Sequence, residues 1–199
     1  RFVARSEGVV AGLPVAALAV KSMHHLKWEP IAADGDHVGR GTELARVEGS
    51  MRDLLAIERT ALNFLQRLSG VATLTARFVA AVAGTRAVIL DTRKTTPGWR
   101  SLEKYAVRCG GGRNHRFGLW DAILIKDNHL AWLAQGGESD PIGRAIATAR
   151  ELASGRESIQ FIEVEVDTLE QLDRALECRP DIILVDNLGA DALTEAVRR

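Results

Sequence analysis

Apolar and polar positions follow three successive patterns along this chain. Over the first 49 residues the apolar runs are short, and residues 2–4 and 9–11 read as strands. Pro14 opens a predicted helix through Val20, because proline is tolerated in a first helical turn. Residues 28–33 and 43–48, separated by Asp34-Gly35-Asp36, Gly39 and Gly41, predict two strands joined by tight turns. From Ser50 to about Val82 the pattern turns helical. Ile57, Ala61, Phe64, Leu65 and Leu68 form one apolar stripe, and Ser50 with Asp53 resembles a capping arrangement. Ser69-Gly70 predicts a break into two helices. Arg59 lies two residues from both Ile57 and Ala61, off the stripe, and taken alone reads as an exposed arginine paired with a nearby acid.

After Gly84 strands alternate with helices. The apolar runs 88–90, 122–125, 161–164 and 182–185 end at Asp91, Lys126, Glu165 and Asp186. Helical patterns lie at 101–108, about 141–152, 169–176 and 190–197, and Thr168 with Gln171 makes a capping box. Residues 134–142 read as a surface loop. The alternation predicts parallel βα units around a buried sheet. In βα barrels the carboxyl ends of the strands hold the active site, so the four charged residues are expected to converge there. Four units cannot close an eight-stranded barrel, and the expectation is that further strands lie beyond Arg199.

Composition narrows the class. At 199 residues, 46% hydrophobic and 26% charged, the chain suits one domain or a small plus a medium one. No apolar run approaches the ~20 residues a membrane helix needs. No signal peptide opens the chain, and Arg1 in place of Met predicts that the amino end was removed or lies outside this sequence. Cys109 and Cys178 offer neither a disulfide framework nor metal-ligand spacing, so both read as reduced, largely buried residues of a cytoplasmic protein. His24 and His25 read as surface residues.

Net charge is zero, yet the segment from Asp91 to Arg116 holds Arg93, Lys94, Arg100, Lys104, Arg108, Arg113 and Arg116 beside His115, against Asp91 and Glu103. Few aromatic platforms and the neutral overall balance exclude the usual nucleic-acid binder. A pocket for small polyanions fits better, since Arg forks grip carboxylate and phosphate and Lys supplies a mobile point charge. Pro97, Gly98 and the triplet Gly110-Gly111-Gly112 are expected to fix the backbone around these charges.

Five motifs bring a resemblance into view. Asp91-Thr92-Arg93-Lys94-Thr95-Thr96-Pro97-Gly98, Gly110-Gly111-Gly112-Arg113-Asn114-His115-Arg116, Leu124-Ile125-Lys126-Asp127-Asn128-His129, Glu163-Val164-Glu165-Val166-Asp167 and Leu184-Val185-Asp186-Asn187 resemble quinolinate phosphoribosyltransferase. Glu58-Arg59-Thr60-Ala61-Leu62-Asn63 and Leu68-Ser69-Gly70 fit the same family, in the same order along nearly the whole chain. The resemblance implies an α/β fold: a small amino-terminal α/β sandwich domain with linking helices over 1–83, and an incomplete parallel, TIM-like α/β barrel over 84–199, truncated at the carboxyl end. It implies a homodimer in which Arg59 enters the neighbouring active site.

The implied reaction joins quinolinate to phosphoribosyl pyrophosphate with Mg²⁺. It releases pyrophosphate and carbon dioxide and yields nicotinate mononucleotide for NAD synthesis. Carried over by motif, Arg93, His115 and Arg116 hold the two quinolinate carboxylates. Lys94 and Lys126 line the same pocket and reach the phosphoribosyl donor, and Glu165 and Asp186 bind ribose hydroxyls and Mg²⁺. The family continues into at least two more strands, whose glycine- and serine-containing loops hold the donor's 5′-phosphate. Other readings stay open on the residues alone: the same fold with another substrate, a Schiff-base barrel using Lys126, or a non-catalytic anion-binding module.

Overall fold

The computed structural model describes all 199 residues, which divide into two compact units, Arg1–His115 and Arg116–Arg199. No helix is long and apolar enough to cross a membrane.

The first unit begins with β1 (Phe2–Val3), β2 (Gly8–Val9), α1 (Leu13–Lys21), β3 (Lys27–Pro30), β4 (His37–Val38) and β5 (Glu43–Glu48). Strand β5 pairs antiparallel with both β1 and β3, while β2 pairs antiparallel with β4. Helix α1 opens after Gly12, whose φ of 101° is left-handed and which a side chain would crowd. Its first free amide groups are satisfied from outside the helix: Gly12 N–H and Leu13 N–H donate to the Asp34 carboxylate at 2.8 and 2.9 Å.

Helix α2 (Met51–Ala81) is a single helix of 31 residues. The expected break at Ser69-Gly70 does not occur. Ile57, Ala61, Leu65, Leu68, Ala72 and Thr75 continue one buried stripe through that point. A helical glycine costs about 1 kcal/mol against alanine, whereas burying a single leucine such as Leu68 returns roughly 1.5–3 kcal/mol. Ser69 and Thr73 also tie the helix to β2, accepting Ala11 N–H at 3.0 Å and Val9 N–H at 2.9 Å through their hydroxyls. Ser50 occupies the N-cap position, but its side chain makes no capping hydrogen bond, contrary to expectation.

Residues 88–90 do not join the parallel sheet. They form one bridge, Leu90 with Arg113, so the run pairs within the first unit. Helix α3 (Arg100–Cys109) packs on α2, which is why this unit extends to His115. The glycine triplet makes that packing possible. A Cβ on Gly110 would lie 2.3 Å from the Ala72 carbonyl oxygen, and Gly111 takes a left-handed φ of 85°.

The second unit holds β6 (Ile123–Ile125), α4 (Asp127–Gln135), α5 (Pro141–Ala153), β7 (Ile162–Val166), α6 (Leu169–Cys178), β8 (Ile182–Val185) and α7 (Ala190–Arg198). The strands form a parallel sheet in the order β6-β7-β8. Ile162, Val164 and Val166 pack with Ile125, Ile142, Ile146 and Leu172 into one core. Glu163 and Glu165 take the alternate positions, on the opposite face of the strand. β7 runs two residues past its predicted end, which places Glu165 inside it. Helix α4 has no counterpart among the predicted elements. Asp140, within the predicted loop, caps α5 by accepting Gly143 N–H at 3.1 Å. The predicted capping box of α6 forms in half: the Thr168 hydroxyl accepts Gln171 N–H at 3.2 Å, but the Gln171 side chain accepts Asp167 N–H, one residue before the N-cap, at 3.0 Å. The fold is thus mixed α/β, with a parallel sheet and helices in the second unit.

Candidate functional site

In the first unit the candidate residues sit on two segments bracketed by α3. Glu103, in the first turn of α3, accepts Thr96 N–H at 3.2 Å and the Thr96 hydroxyl at 2.8 Å. Arg67 from α2 donates to the same carboxylate at 2.6 Å and to Thr96 at 3.0 Å. Burial would raise the Glu103 pKa, but Arg67 and Thr96 outweigh it and hold the carboxyl below its ordinary value. Trp99 stacks on Phe64 with ring centroids 4.9 Å apart. The loop carrying Arg93 and Lys94 is therefore pinned at its far end. Arg100 donates to the Arg93 carbonyl and the Thr95 hydroxyl, each at 3.4 Å.

Arg93 is half-buried, and its Nε is buried without a protein acceptor. A donor left in that state is suited to an anion from outside the chain. Lys94 is exposed.

Asp91 and Lys104 depart from expectation. The sequence predicts an acid presented at a strand end and a further cation on a basic surface. The structure pairs them instead: their side chains form an ion pair at 6% and 2% exposure. Asp91 further accepts from the Asn114 side chain and, at 2.9 Å, from His115 N–H. Lys104 also donates to the His115 carbonyl at 3.1 Å. Sequence spacing gives no sign of this, because the partners meet only when α3 folds back over the two segments.

Nearby, the Tyr105 hydroxyl donates to Asp34 at 2.8 Å; burial and that carboxylate raise its pKa. Burial likewise raises the Cys109 thiol. Both cysteines are free and half-buried. Arg59 is exposed on α2 and has no acid partner within the chain, unlike an ordinary surface arginine in an ion pair. A cavity of about 420 Å³ lined by β1, β2 and α2 residues, among them Val9, Leu62 and Leu65, contains none of the candidate residues.

In the second unit Arg116 is buried, at 9% exposure, and donates to the Ala122 carbonyl at 3.4 Å. Ile125 pairs with Val164, so Lys126 and Glu165 follow side by side, and Nζ to Oε2 is 2.9 Å. Lys126 is 46% exposed. An ion-paired, half-exposed lysine lacks the apolar slot that a Schiff-base lysine uses. Its backbone N–H donates to His129 Nδ1 at 2.9 Å and its carbonyl accepts His129 N–H at 2.9 Å, which starts α4 immediately after Lys126. A histidine three residues beyond Lys126 carries the signal for that helix start, which the sequence reading misses.

Asp186 follows β8, its N–H donating to the Val166 carbonyl at 2.9 Å. Asn187 then turns with a left-handed φ of 56° and donates to Asp186 at 3.2 Å. Lys126 and Asp186 therefore directly follow β6 and β8, and Glu165 is the penultimate residue of β7 between them. No group of three or more His, Cys, Asp or Glu could hold a metal. Mg²⁺ asks for fewer protein ligands than such a group, one or two acids with water and phosphate oxygens completing its shell.

Comparisons with known proteins agree with these motifs. The family model for the quinolinate phosphoribosyl transferase N-terminal domain matches residues 1–69, and that for the C-terminal domain matches residues 71–199. The chain is 45% identical over 201 residues to the nicotinate-nucleotide pyrophosphorylase [carboxylating] of Mycobacterium leprae, covering 100% of this chain and 67% of that one. It is 41% identical over 202 residues to the probable enzyme of that name from Synechocystis, covering 100% of this chain and 64% of that one. The solved nicotinate-nucleotide pyrophosphorylase of Francisella tularensis matches with a TM-score of 0.89 at 36% identity, over 98% of this chain and 67% of that one. The chain thus spans about two thirds of the length of these relatives. It belongs to the quinolinate phosphoribosyl transferase family.

Proposed function

We propose that the protein transfers the phosphoribosyl group of phosphoribosyl pyrophosphate to quinolinate, with decarboxylation to nicotinate mononucleotide. The observation carrying this reading is the delivery of Lys126, Glu165 and Asp186 from the carboxyl ends of three adjacent parallel strands, within a chain whose family motifs run from end to end.

Quinolinate is a dianion. Arg93, with its buried and unpartnered Nε, His115 and Arg116 are suited to read its two carboxylates. Lys94 and Lys126 balance the donor's phosphates. As pyrophosphate leaves, positive charge develops on the ribose carbon, and a fixed carboxylate at Glu165 stabilises it without reorganisation. Asp186 and Glu165 would hold ribose hydroxyls and Mg²⁺, which when bound neutralises the leaving group. Loss of carbon dioxide beside a ring nitrogen made cationic by ribosylation asks little acid–base work of the chain. Catalysis in this reading is positioning and electrostatics.

The finer features belong to the same reading. The parallel sheet is an arc of an α/β barrel. The amino-terminal sandwich with its linking helix occupies 1–83, and the barrel-forming segment begins at 84. The active species is a cytoplasmic homodimer, with Arg59 of each subunit serving the other's site; neither nucleic acid nor membrane is a partner.

Calorimetric titration with quinolinate and with nicotinate, followed by chromatographic detection of nicotinate mononucleotide in the presence of phosphoribosyl pyrophosphate and Mg²⁺, tests it. Tighter binding of the dicarboxylate and appearance of the mononucleotide are expected. Equal affinity for nicotinate and quinolinate overturns the substrate assignment.

A further inference from the structure

We infer that Asp91 and Lys104 are positioning residues whose buried ion pair fixes the backbone of His115, and thereby the imidazole's place in quinolinate recognition. The inference rests on the function proposed above and deepens it.

Both backbone polar groups of His115 are taken by this pair. Its N–H donates to Asp91 at 2.9 Å, and its carbonyl accepts from Lys104 at 3.1 Å. Asn114 closes the ring, donating to the Asp91 carboxylate and, at 2.9 Å, to the Lys104 carbonyl. Asp91 therefore receives three donors, and Lys104 gives two hydrogen bonds from one ammonium. Buried ion pairs are poor sources of stability, since replacing both members with apolar residues is often neutral or stabilising. What this pair supplies is geometric. It removes the freedom of His115 to rotate about its own peptide units, so a bound dianion meets an imidazole already in place.

Four elements meet at this point: the end of the 88–90 run, α3, the glycine triplet and the His115 segment. Neither Asp91 nor Lys104 reaches the surface, so neither can touch substrate directly. Their influence has to pass through His115.

The test compares the wild type with Lys104→Met and with Asn114→Ala, the latter removing only the two side-chain hydrogen bonds of Asn114 and serving if Lys104→Met does not fold. Titration calorimetry gives the affinity for quinolinate and for phosphoribosyl pyrophosphate separately. Amide hydrogen exchange, read by NMR, reports the His115 N–H relative to the Leu68 N–H. Lys104→Met is expected to weaken quinolinate at least tenfold and Asn114→Ala about threefold, with affinity for phosphoribosyl pyrophosphate unchanged. In both variants His115 exchange accelerates at least tenfold relative to Leu68. Equal weakening of the two ligands, or unchanged quinolinate affinity in a folded variant, overturns the inference. Should the wild type bind no quinolinate, the proposed function fails, and unaltered His115 exchange would separately refute the clamp.

Discussion

Lys126 Nζ and Glu165 Oε2 lie 2.9 Å apart, one step beyond the paired residues Ile125 and Val164 of β6 and β7. The lysine is 46% exposed and the glutamate 11%. Such a half-wet pair contributes only about 0.2–1 kcal/mol to stability. Its position at the carboxyl end of a parallel sheet is where βα folds gather reacting groups. The pair holds a cation aimed off the strand ends while the second acid, Asp186, stands on the next strand.

Removing that cation separates the two roles. Lys126→Ala is expected to lower turnover about 10²–10³-fold, the usual cost of deleting one aimed charge-stabilising group. Thermal unfolding should show a loss of no more than about 1 kcal/mol. Parallel measurement of mononucleotide formation and melting checks both numbers. Near-normal turnover in this variant contradicts the proposed chemistry.

Glu103 makes the first unit acid-sensitive. Its folded pKa lies below the ordinary 4.5, because Arg67 and Thr96 outweigh burial. A carboxyl with a depressed folded pKa contributes stability that is complete above the unfolded value. That contribution drains away as pH falls through the folded one. Stability of the wild type is therefore expected to decline below about pH 4.5, with Glu103→Gln showing a shallower slope there and lower stability at pH 7. Denaturant midpoints collected from pH 7 to pH 3 decide it.

Much of this was legible in the sequence. The three largely apolar runs ending at Lys126, Glu165 and Asp186 became adjacent parallel strands, as short runs alternating with helical patterns imply. Arg93 and Lys94 lie on a pinned loop, as Pro97 and Gly98 implied. What failed to show was tertiary. Gly70 looked like a break, but the buried stripe around Leu68 overrode it. The 88–90 run has the apolar content of a core strand, yet only its bridge to Arg113 forms. Asp91 looked like an active-site acid until α3 brought Lys104 against it.

Asp140 tests a cap against an ion pair. It accepts Gly143 N–H at the start of α5 and also pairs with Arg174, which holds its carboxyl below the usual range. Both side chains of the pair are about 40% exposed, so the bridge itself adds little. Asp140→Ala should cost about 1 kcal/mol, close to the loss of an N-cap. Arg174→Ala should cost less than half of that. Guanidinium denaturation of the two variants gives the ratio, and a larger loss from Arg174→Ala reverses the assignment.

Two glycines on or against α2 should respond to alanine with opposite signs. Gly70 sits inside the helix with nothing within 4 Å of the place an added methyl group would take, so Gly70→Ala gains helix propensity at no steric cost. A stabilisation of about 0.5–1 kcal/mol is expected. At Gly110 the same methyl would lie 2.3 Å from the Ala72 carbonyl oxygen and 2.7 Å from Thr75 Cβ. Those neighbours belong to the helix backbone and to a buried side chain, neither of which yields cheaply. Gly110→Ala is expected to destabilise by roughly 1–3 kcal/mol, the usual cost of overpacking. It should also loosen the α2–α3 contact on which Lys104 and Glu103 depend, so quinolinate affinity falls with stability, whereas Gly70→Ala leaves it unchanged. Melting curves and calorimetry on the two variants check the sign at each position, and a neutral Gly110→Ala would mean that α3 can draw back from α2 without disturbing either segment it holds.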